Sequence, residues 1–350
     1  MEIVIDSRRV IISVTIGGHD ATSYLSPSLL SFSYTDNASG KADSLQIELQ
    51  DREGKWAGAW APKKGTEIKA SFRCMDWFGE GQHGGLNCGS FKVDEKDLSG
   101  PPDKISLKAV SASLSGGLRE TFRDKSWEGH TLKGVADEIA GVHGLSLVYE
   151  APELTFARQD QREESDLAFI SRLAGQRGIN VKVHDDKLVL YGAKEADARP
   201  AGLVISKTGG QFSPKSYRLK EKSEGTAFTG CVVSYRDPDT QQVHSWSFDA
   251  KGNRVESAAS DAQKVWAVNK RVESEAEARK MAQDALRAKN QGEHTGSLEI
   301  MGHPGLVAGM TLSLVGFPED YDGSYFVEKA EHKIGSGYTT SVEIRRTLGY

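Results

Sequence analysis

Alternating apolar and polar positions dominate the first third of the chain. Runs of this kind, rich in β-branched and aromatic residues, predict strands at 10–16, 29–35, 45–50, 65–72, 90–98 and 104–110. The glycine-rich stretch 79–89 and the Pro-containing stretch 99–103 are interpreted as loops between them. Short strands at this spacing are typical of a small sandwich or barrel, so we expect a β domain over residues 1–117.

The hydrophobic period changes to that of helices between residues 118 and 196. Thr131 is placed to cap one amphipathic helix and Ser165 a second, and Gly178 is placed to end the second. Alternation then returns in a hairpin at 181–190. The pattern predicts an α+β module whose two helices cover one face of a small sheet.

Residues 197–350 return to β character. Two strands at 227–235 and 242–248 flank the turn-forming residues 237–240, and further strands are predicted at 297–300, 310–315, 325–332 and 338–344. One helix interrupts them, starting at the capping box of Ser274 and Glu277. We therefore expect a second β domain with one helix, and part of 197–260 as an alternative completion of the first domain.

Composition narrows the functional classes. The chain has 350 residues, 38% of them hydrophobic, and a mean hydropathy of -0.47, which suits two or three soluble domains. Its net charge of -5 argues against nucleic-acid binding through the overall field, so no specific nucleic-acid partner is expected. The sequence lacks a signal peptide and an apolar run long enough to span a membrane, and its 3 cysteines are too few for a disulfide framework. These features predict synthesis in a reducing cytoplasm and no membrane partner.

Sequence motifs for catalysis or metal binding are weak. The chain has no His-Glu-x-x-His, no phosphate-binding loop, no Gly-x-Ser-x-Gly and no Cys-x-x-Cys. Cys74, His83 and Cys88 could supply three zinc ligands, but their spacing fits no strong zinc pattern, and we favour a surface loop with a half-buried thiol.

Three other groups of residues could form functional sites, and we predict structural roles for all three. Glu163, Glu164 and Asp166 could form a glycosidase pair, yet a helix amino terminus favours acidic residues without catalysis. His294 and His303 are expected to be loop or edge histidines. Six tryptophans spread over all regions are interpreted as core or contact residues instead of sugar platforms: Trp56, Trp60, Trp77, Trp127, Trp246 and Trp266. We therefore predict no catalytic, cofactor-binding or metal-binding residue and no cofactor.

The residue pattern resembles the bacteriophage late control D family. The resemblance is carried in chain order by Phe91-Lys92-Val93-Asp94-Glu95, Gly100-Pro101-Pro102-Asp103, Ser126-Trp127, Thr131-Leu132, Asp160-Gln161, residues 164–174, residues 302–309, Gly323-Ser324-Tyr325-Phe326-Val327, His332 and Gly337-Tyr338-Thr339-Thr340. Members of this family are baseplate hubs of contractile phage tails and tail-like bacteriocins, and they are similar in fold to the amino-terminal part of the type VI secretion spike protein.

The resemblance implies a mainly β fold with an α+β insert. It implies two tube-like β-barrel domains (1–117 and 197–350) bracketing the insert (118–196), and a homotrimer that forms a pseudo-six-fold ring. It further implies a structural role in a virion or injection particle, adapting the six-fold tail tube to the three-fold spike. The implied partners are the chain itself, the central spike protein, the tail tube protein or its initiator, baseplate wedge proteins and the tape measure protein. Because no spike-like or lysozyme-like segment follows the hub pattern, we expect a hub alone.

Two alternatives remain open from the sequence. A tail protein rich in carboxylates could cleave peptidoglycan, and the region 118–196 could be a binding module for peptidoglycan or another tail protein. We expect a non-enzymatic protein and the hub role over both.

Overall fold

The computed structural model describes residues 8–112, 117–119, 121–184, 186–210, 212–236, 242–255, 264–269, 272 and 274–350. The strands are β1 (Arg9–Ile16), β2 (His19–Asp20), β3 (Leu29–Asn37), β4 (Ser44–Gln50), β5 (Glu67–Met75), β6 (Gly84–Ser99), β7 (Lys104–Ser111), β8 (Phe122–Thr131), β9 (Ser146–Glu150), β10 (Thr155–Ser165), β11 (Ile179–His184), β12 (Lys187–Gly192), β13 (Leu203–Ser206), β14 (Ser216–Glu221), β15 (Gly230–Arg236), β16 (Val243–Asp249), β17 (Val265–Asn269), β18 (His294–Met301), β19 (Thr311–Val315), β20 (Gly323–Ile334) and β21 (Tyr338–Arg346). The helices are α1 (Thr22–Leu25), α2 (Leu132–Val142), α3 (Asp166–Gly175), α4 (Ala193–Asp197) and α5 (Glu275–Asn290), with 3-10 turns at Ser26–Ser28 and Glu319–Tyr321. The expected mainly β fold with an α+β insert is confirmed.

Most predicted elements are found, but one predicted loop needs correction and several strands were not predicted. The stretch 79–89 is not entirely a loop, because β6 begins at Gly84 and pairs with β5. The antiparallel ribbon of β8 and β10 was not predicted, since both of its strands are strongly charged and much of their length is exposed. The predicted turn at 237–240 lies outside the described residues.

Six strands of the first region form one half of the main sheet, in the order β3-β4-β7-β6-β5-β1. Their alternating side chains close over an aromatic and aliphatic core that includes Phe32, Tyr34, Phe72 and Phe91. The alternation read from the sequence thus produces a sheet with one buried and one exposed face.

The last region repeats the same strand order. Its six strands run β14-β18-β21-β20-β19-β13 around a second core, which includes Leu298, Leu312 and Tyr325. A register shift interrupts β6–β7 between Val93 and Glu95, and another interrupts β20–β21 at the corresponding place. One difference is that β13 runs parallel to β19, whereas β1 runs antiparallel to β5.

The two halves join through one strand pair. β20 pairs antiparallel with β3, from Lys329 opposite Asn37 to Ile334 opposite Phe32, and the result is a single 13-stranded sheet. The strands β13 and β14 both pair within the last half, with β19 and β18.

Two satellites attach to this sheet, each with its own core. The first is the α+β insert, in which α2 and α3 pack on the sheet β11-β12-β9, and Thr131 and Ser165 cap the two helices as predicted. The second packs α5 on the sheet β16-β15-β17 and lies in the chain between β14 and β18. Within the described ranges, none of the helices combines the length and apolarity needed to cross a membrane.

Candidate assembly interface

The junction of β3 and β20 contains a fully buried histidine. The imidazole of His332 is fully buried, stacks on Tyr34 with ring centroids 6.1 Å apart, and lies at the edge of the first core beside Phe72. Its Nδ1 accepts a hydrogen bond from the Tyr338 hydroxyl at 2.8 Å. Side chains of both halves therefore share one packed cluster.

Burial fixes the charge state of this histidine. Desolvation lowers the pKa of His332 to about 4, with a further contribution from His303, so the ring is neutral at neutral pH. The neutral ring suits the acceptor role of Nδ1 toward Tyr338. The cluster thus behaves as part of an apolar core.

A second contact ties the halves together beside this cluster. The indole Nε1 of Trp77 donates a hydrogen bond to the Gly302 carbonyl oxygen at 2.6 Å. A Cβ at position 302 would lie 2.1 Å from the Tyr338 ring, so only glycine fits there.

The insert is locked onto the same junction through Asp36. This buried carboxylate in β3 forms an ion pair with Lys182 of the insert and accepts a hydrogen bond from the Ala308 backbone N–H at 2.8 Å. Tyr191 of the insert donates a hydrogen bond to the Ala38 carbonyl oxygen at 2.8 Å. First half, insert and last half therefore meet around one strand end, which favours a stiff unit.

Several strand edges of the described sheet remain open, among them those of β14 and of the end of β6. The outer edge of β14 carries mostly exposed side chains, among them Tyr217 at 47% exposure. The end of β6 after its register shift is also exposed, with Leu98 at 59%. In the described part of the chain, β14 pairs only with β18, and residues 95–99 pair only with β7. Open strand edges with exposed apolar residues are ready-made sites for pairing with another chain.

The structure does not assemble a zinc site from Cys74, His83 and Cys88. Both thiols are buried, burial raises the pKa of Cys74 to about 11, and His83 is exposed, with its Nδ1 accepting from the Asp76 backbone N–H. Among the described residues no group of three or more His, Cys, Asp or Glu side chains could hold a metal ion.

The acidic residues at the start of α3 are separated from one another. Glu163 is exposed at the β10 bulge with φ 46°, and Glu164 pairs with Arg172 at 2.8 Å. Asp166 is fully buried and contacts His143 at 2.7 Å and Arg123 at 3.1 Å. Glu164 and Asp166 are thus held in local structural contacts, and Glu163 lies exposed at the bulge.

The remaining candidates occupy structural positions. His303 packs between Phe78 and Phe212, and desolvation lowers its pKa. His294 begins β18 and lies 3.8 Å from Glu293. Three of the tryptophans are core residues, namely Trp56, Trp77 and Trp127, Trp60 is 42% exposed, and Trp246 and Trp266 pack at the second satellite.

Sequence reasoning missed the residues that matter most at the junction. His332 and Asp36 look like ordinary polar members of alternating strands, and only the pairing of β3 with β20 buries them. The available signal was position: both fall on the face of their strands that otherwise carries core residues.

The comparisons with known proteins decide the family. The model of the phage tail baseplate hub (GPD) family matches residues 109–338. The chain belongs to this family. The hub resemblance read from the sequence is therefore confirmed, and so is the expected place in a phage-type tail baseplate.

Individual relatives of this hub agree with the family match. The chain is 29% identical over 235 residues to a probable baseplate hub protein of Escherichia phage 186, covering 65% of this chain and 57% of that relative. The match thus spans little more than half of the phage protein.

The hub fold is also that of a 43 kDa tail protein of prophage MuSo2 from Shewanella oneidensis, with a TM-score of 0.71, 13% identity and coverage of 97% and 99% of the two chains. A component of the E. coli type VI secretion system shares the fold with a TM-score of 0.54, 9% identity and coverage of 97% and 77%.

Proposed function

We propose that this baseplate hub works as a homotrimeric ring, in which three copies present six similar β units to the tail tube and three-fold symmetry to the central spike. The observation that carries the proposal is the repeated strand order, β3-β4-β7-β6-β5-β1 in the first half and β14-β18-β21-β20-β19-β13 in the second. Each chain contains the same six-stranded unit twice. When three copies close into a ring, they therefore offer six similar surfaces to a six-fold partner.

The two halves are our candidates for the tube-like barrel domains, over residues 1–117 and 197–350, with 118–196 as the insert. Separate cores in the first half, the insert and the last half support this division. The partners proposed are a second and third copy, the central spike, the tube protein or its initiator, wedge proteins and the tape measure protein.

The role we propose is architectural. A joint that transmits contraction needs stiffness, and the shared cluster of Tyr34, His332 and Tyr338 supports a rigid connection between the halves. Either a contractile phage or a tail-like injection particle could use such a joint.

Mass photometry and end-on electron microscopy of the purified protein, alone and with its spike partner, test this proposal. We expect a trimer with six densities around the ring. A monomer under every condition, with spike present and protein at micromolar concentration, would contradict it.

A further inference from the structure

The repeated strand order lets each residue of one half be matched to a counterpart in the other. A row of paired residues crosses four strands of the first half: Phe32, Ile47, Leu107 and Lys96. The corresponding row in the last half is Tyr217, Leu298, Val342 and Ala330. The register shifts of β6 and β20 fix this alignment, because the one between Val93 and Glu95 is matched to the one between Val327 and Lys329.

The matched rows identify the counterparts of the closed junction. The junction pairs β3 with β20, placing Asp36 opposite Ala330. The counterpart of β3 is β14, where Glu221 corresponds to Asp36. The counterpart of the paired part of β20 is the end of β6, where Lys96 corresponds to Ala330. Both counterparts lie on open edges of the described sheet, namely β14 and the end of β6.

The backbone N–H and C=O groups on the open edge of β14 belong to the residues that such a junction requires. The Lys222 backbone N–H donates to the Glu293 carbonyl oxygen, so the backbone groups of Tyr217, Leu219 and Glu221 turn away from β18. In β3, the Ala38 N–H donates to the Glu328 carbonyl oxygen, so the backbone groups of Phe32, Tyr34 and Asp36 point toward β20. These three residues correspond to Tyr217, Leu219 and Glu221, whose backbone groups point toward the open edge.

We infer that β14 of one copy pairs antiparallel with residues 95–99 of β6 in the next copy, and that this strand pair is the contact between neighbouring copies. The inference rests on the proposed ring and names the surface that closes it. Applying the register of the closed junction places five pairs opposite each other across the contact: Glu95 with Lys222, Lys96 with Glu221, Asp97 with Lys220, Leu98 with Leu219, and Ser99 with Arg218.

The side chains of this register are complementary. Three of the five pairs join opposite charges, a fourth joins two leucines, and the fifth joins Ser99 to Arg218, although the register was taken from backbone pairing in β3 and β20 alone. Opposite charges directly across an antiparallel pair are favourable, and like charges are unfavourable. A register shifted by one residue would place Asp97 opposite Glu221 or Leu219, and the charge match would be lost.

The contact is heterologous, because β14 belongs to the last half of the chain and residues 95–99 of β6 belong to the first half. Each copy offers one edge of each kind, so three copies can close with every edge satisfied. Charged residues on both edges also oppose non-specific strand pairing, since only the matched edge neutralises them.

A charge swap at one pair tests the register. We expect Asp97→Lys and Lys220→Asp each to weaken association of copies about tenfold, and the double variant D97K/K220D to recover to near the wild-type affinity. Sedimentation velocity over a dilution series measures this. Glu319→Lys, an exposed acid on a 3-10 turn, is the matched control and should leave association unchanged.

Disulfide trapping gives a second, independent readout. Asp97 and Lys220 would form a non-hydrogen-bonded pair with Cα atoms about 4.5 Å apart, within disulfide reach. D97C/K220C should therefore cross-link copies under mild oxidation, whereas K96C/K220C places its thiols on opposite faces and should not. The native cysteines Cys74, Cys88 and Cys231 are buried.

The outcomes separate the inference from the proposed function. A wild-type ring whose affinity is unchanged by D97K and K220D, and which D97C/K220C does not cross-link, would overturn the strand pairing and leave the ring intact. A wild-type protein that never forms a ring would overturn both.

Discussion

The closed junction and the open edges occupy equivalent places in the two halves but differ in chemistry. At the junction, Tyr34 and His332 are fully buried. Their counterparts on the open edges are Leu219, which is half-buried, and Leu98, which is exposed. A junction inside one chain forms during folding and can be apolar, whereas an edge that waits for a second copy must stay soluble. The same backbone register therefore carries core residues in one place and alternating charges in the other.

The largest expected effect on stability comes from removing a buried aromatic side chain at the closed junction. Tyr34→Ala removes a ring that is 1% exposed and packs on His332 and Phe91, so we expect a loss of about 3–5 kcal/mol in the free energy of unfolding. Urea unfolding at a concentration where the protein is monomeric measures it.

The matched variant on the open edge is Leu219→Ala. Because Leu219 is half-buried, we expect a loss of about 1 kcal/mol or less in the monomer. Equal losses for the two variants would remove the distinction between closed and open edges.

Asp36 and its counterpart Glu221 give the next contrast. Asp36→Ala leaves the Ala308 N–H without its buried acceptor and leaves the Lys182 ammonium only the Asp43 carboxylate at 4.0 Å, and we expect a loss of about 2–3 kcal/mol in the free energy of unfolding. Glu221 is exposed, so Glu221→Ala should change monomer stability by less than about 0.5 kcal/mol. Thermal and urea unfolding of both variants test this, and a Glu221 effect as large as that of Asp36 would contradict it.

Acid should weaken the closed junction through His332. Its folded-state pKa of about 4 lies below its ordinary value of 6.5, so the unfolded chain binds the proton more readily. The stabilising contribution is complete above pH 6.5 and is lost as the pH falls toward 4, which amounts to about 2 kcal/mol between pH 7.5 and 5.0.

The variant His332→Gln isolates this contribution. Gln keeps a polar partner for Tyr338 but cannot titrate, so its stability should fall about 2 kcal/mol less than that of wild type over the same pH range. Identical pH dependence in the two proteins would assign the acid sensitivity to other groups.

The smallest expected effect is that of salt on the open edges. Exposed ion pairs are screened, so raising NaCl from 0.05 to 0.5 M should weaken association of copies by about 1 kcal/mol and leave the closed junction unaffected. Association measured by sedimentation, and monomer unfolding measured in parallel, give the comparison. Tighter association at high salt would indicate that the contact is mainly apolar.

The sequence predicts the individual helices and strands better than it predicts which strands pair with one another. Ser165, Gly178 and the hairpin at 181–190 were assigned correctly because capping and turn chemistry are local. The β8–β10 ribbon escaped because exposed charged strands lack the apolar period on which the prediction depends.

The junction could not be read from the sequence for a different reason. Residues 29–37 and 323–334 both look like half-buried strands, and nothing local shows that they pair across almost 300 residues of chain. The hub assignment came from the overall pattern, and no single side chain such as His303 or Cys74 would have led to it.

The placement of the second satellite has a practical consequence. In the first half, β3 and β4 are joined by residues 38–43, whereas the equivalent strands β14 and β18 are separated by residues 222–293, whose described part contains a core of its own. This connection therefore accommodates an inserted folded unit. A foreign folded cargo added between Lys222 and Glu293 should be displayed by the assembled particle with the strand register unchanged, provided that Arg287 of α5 keeps its ion pair with Asp197.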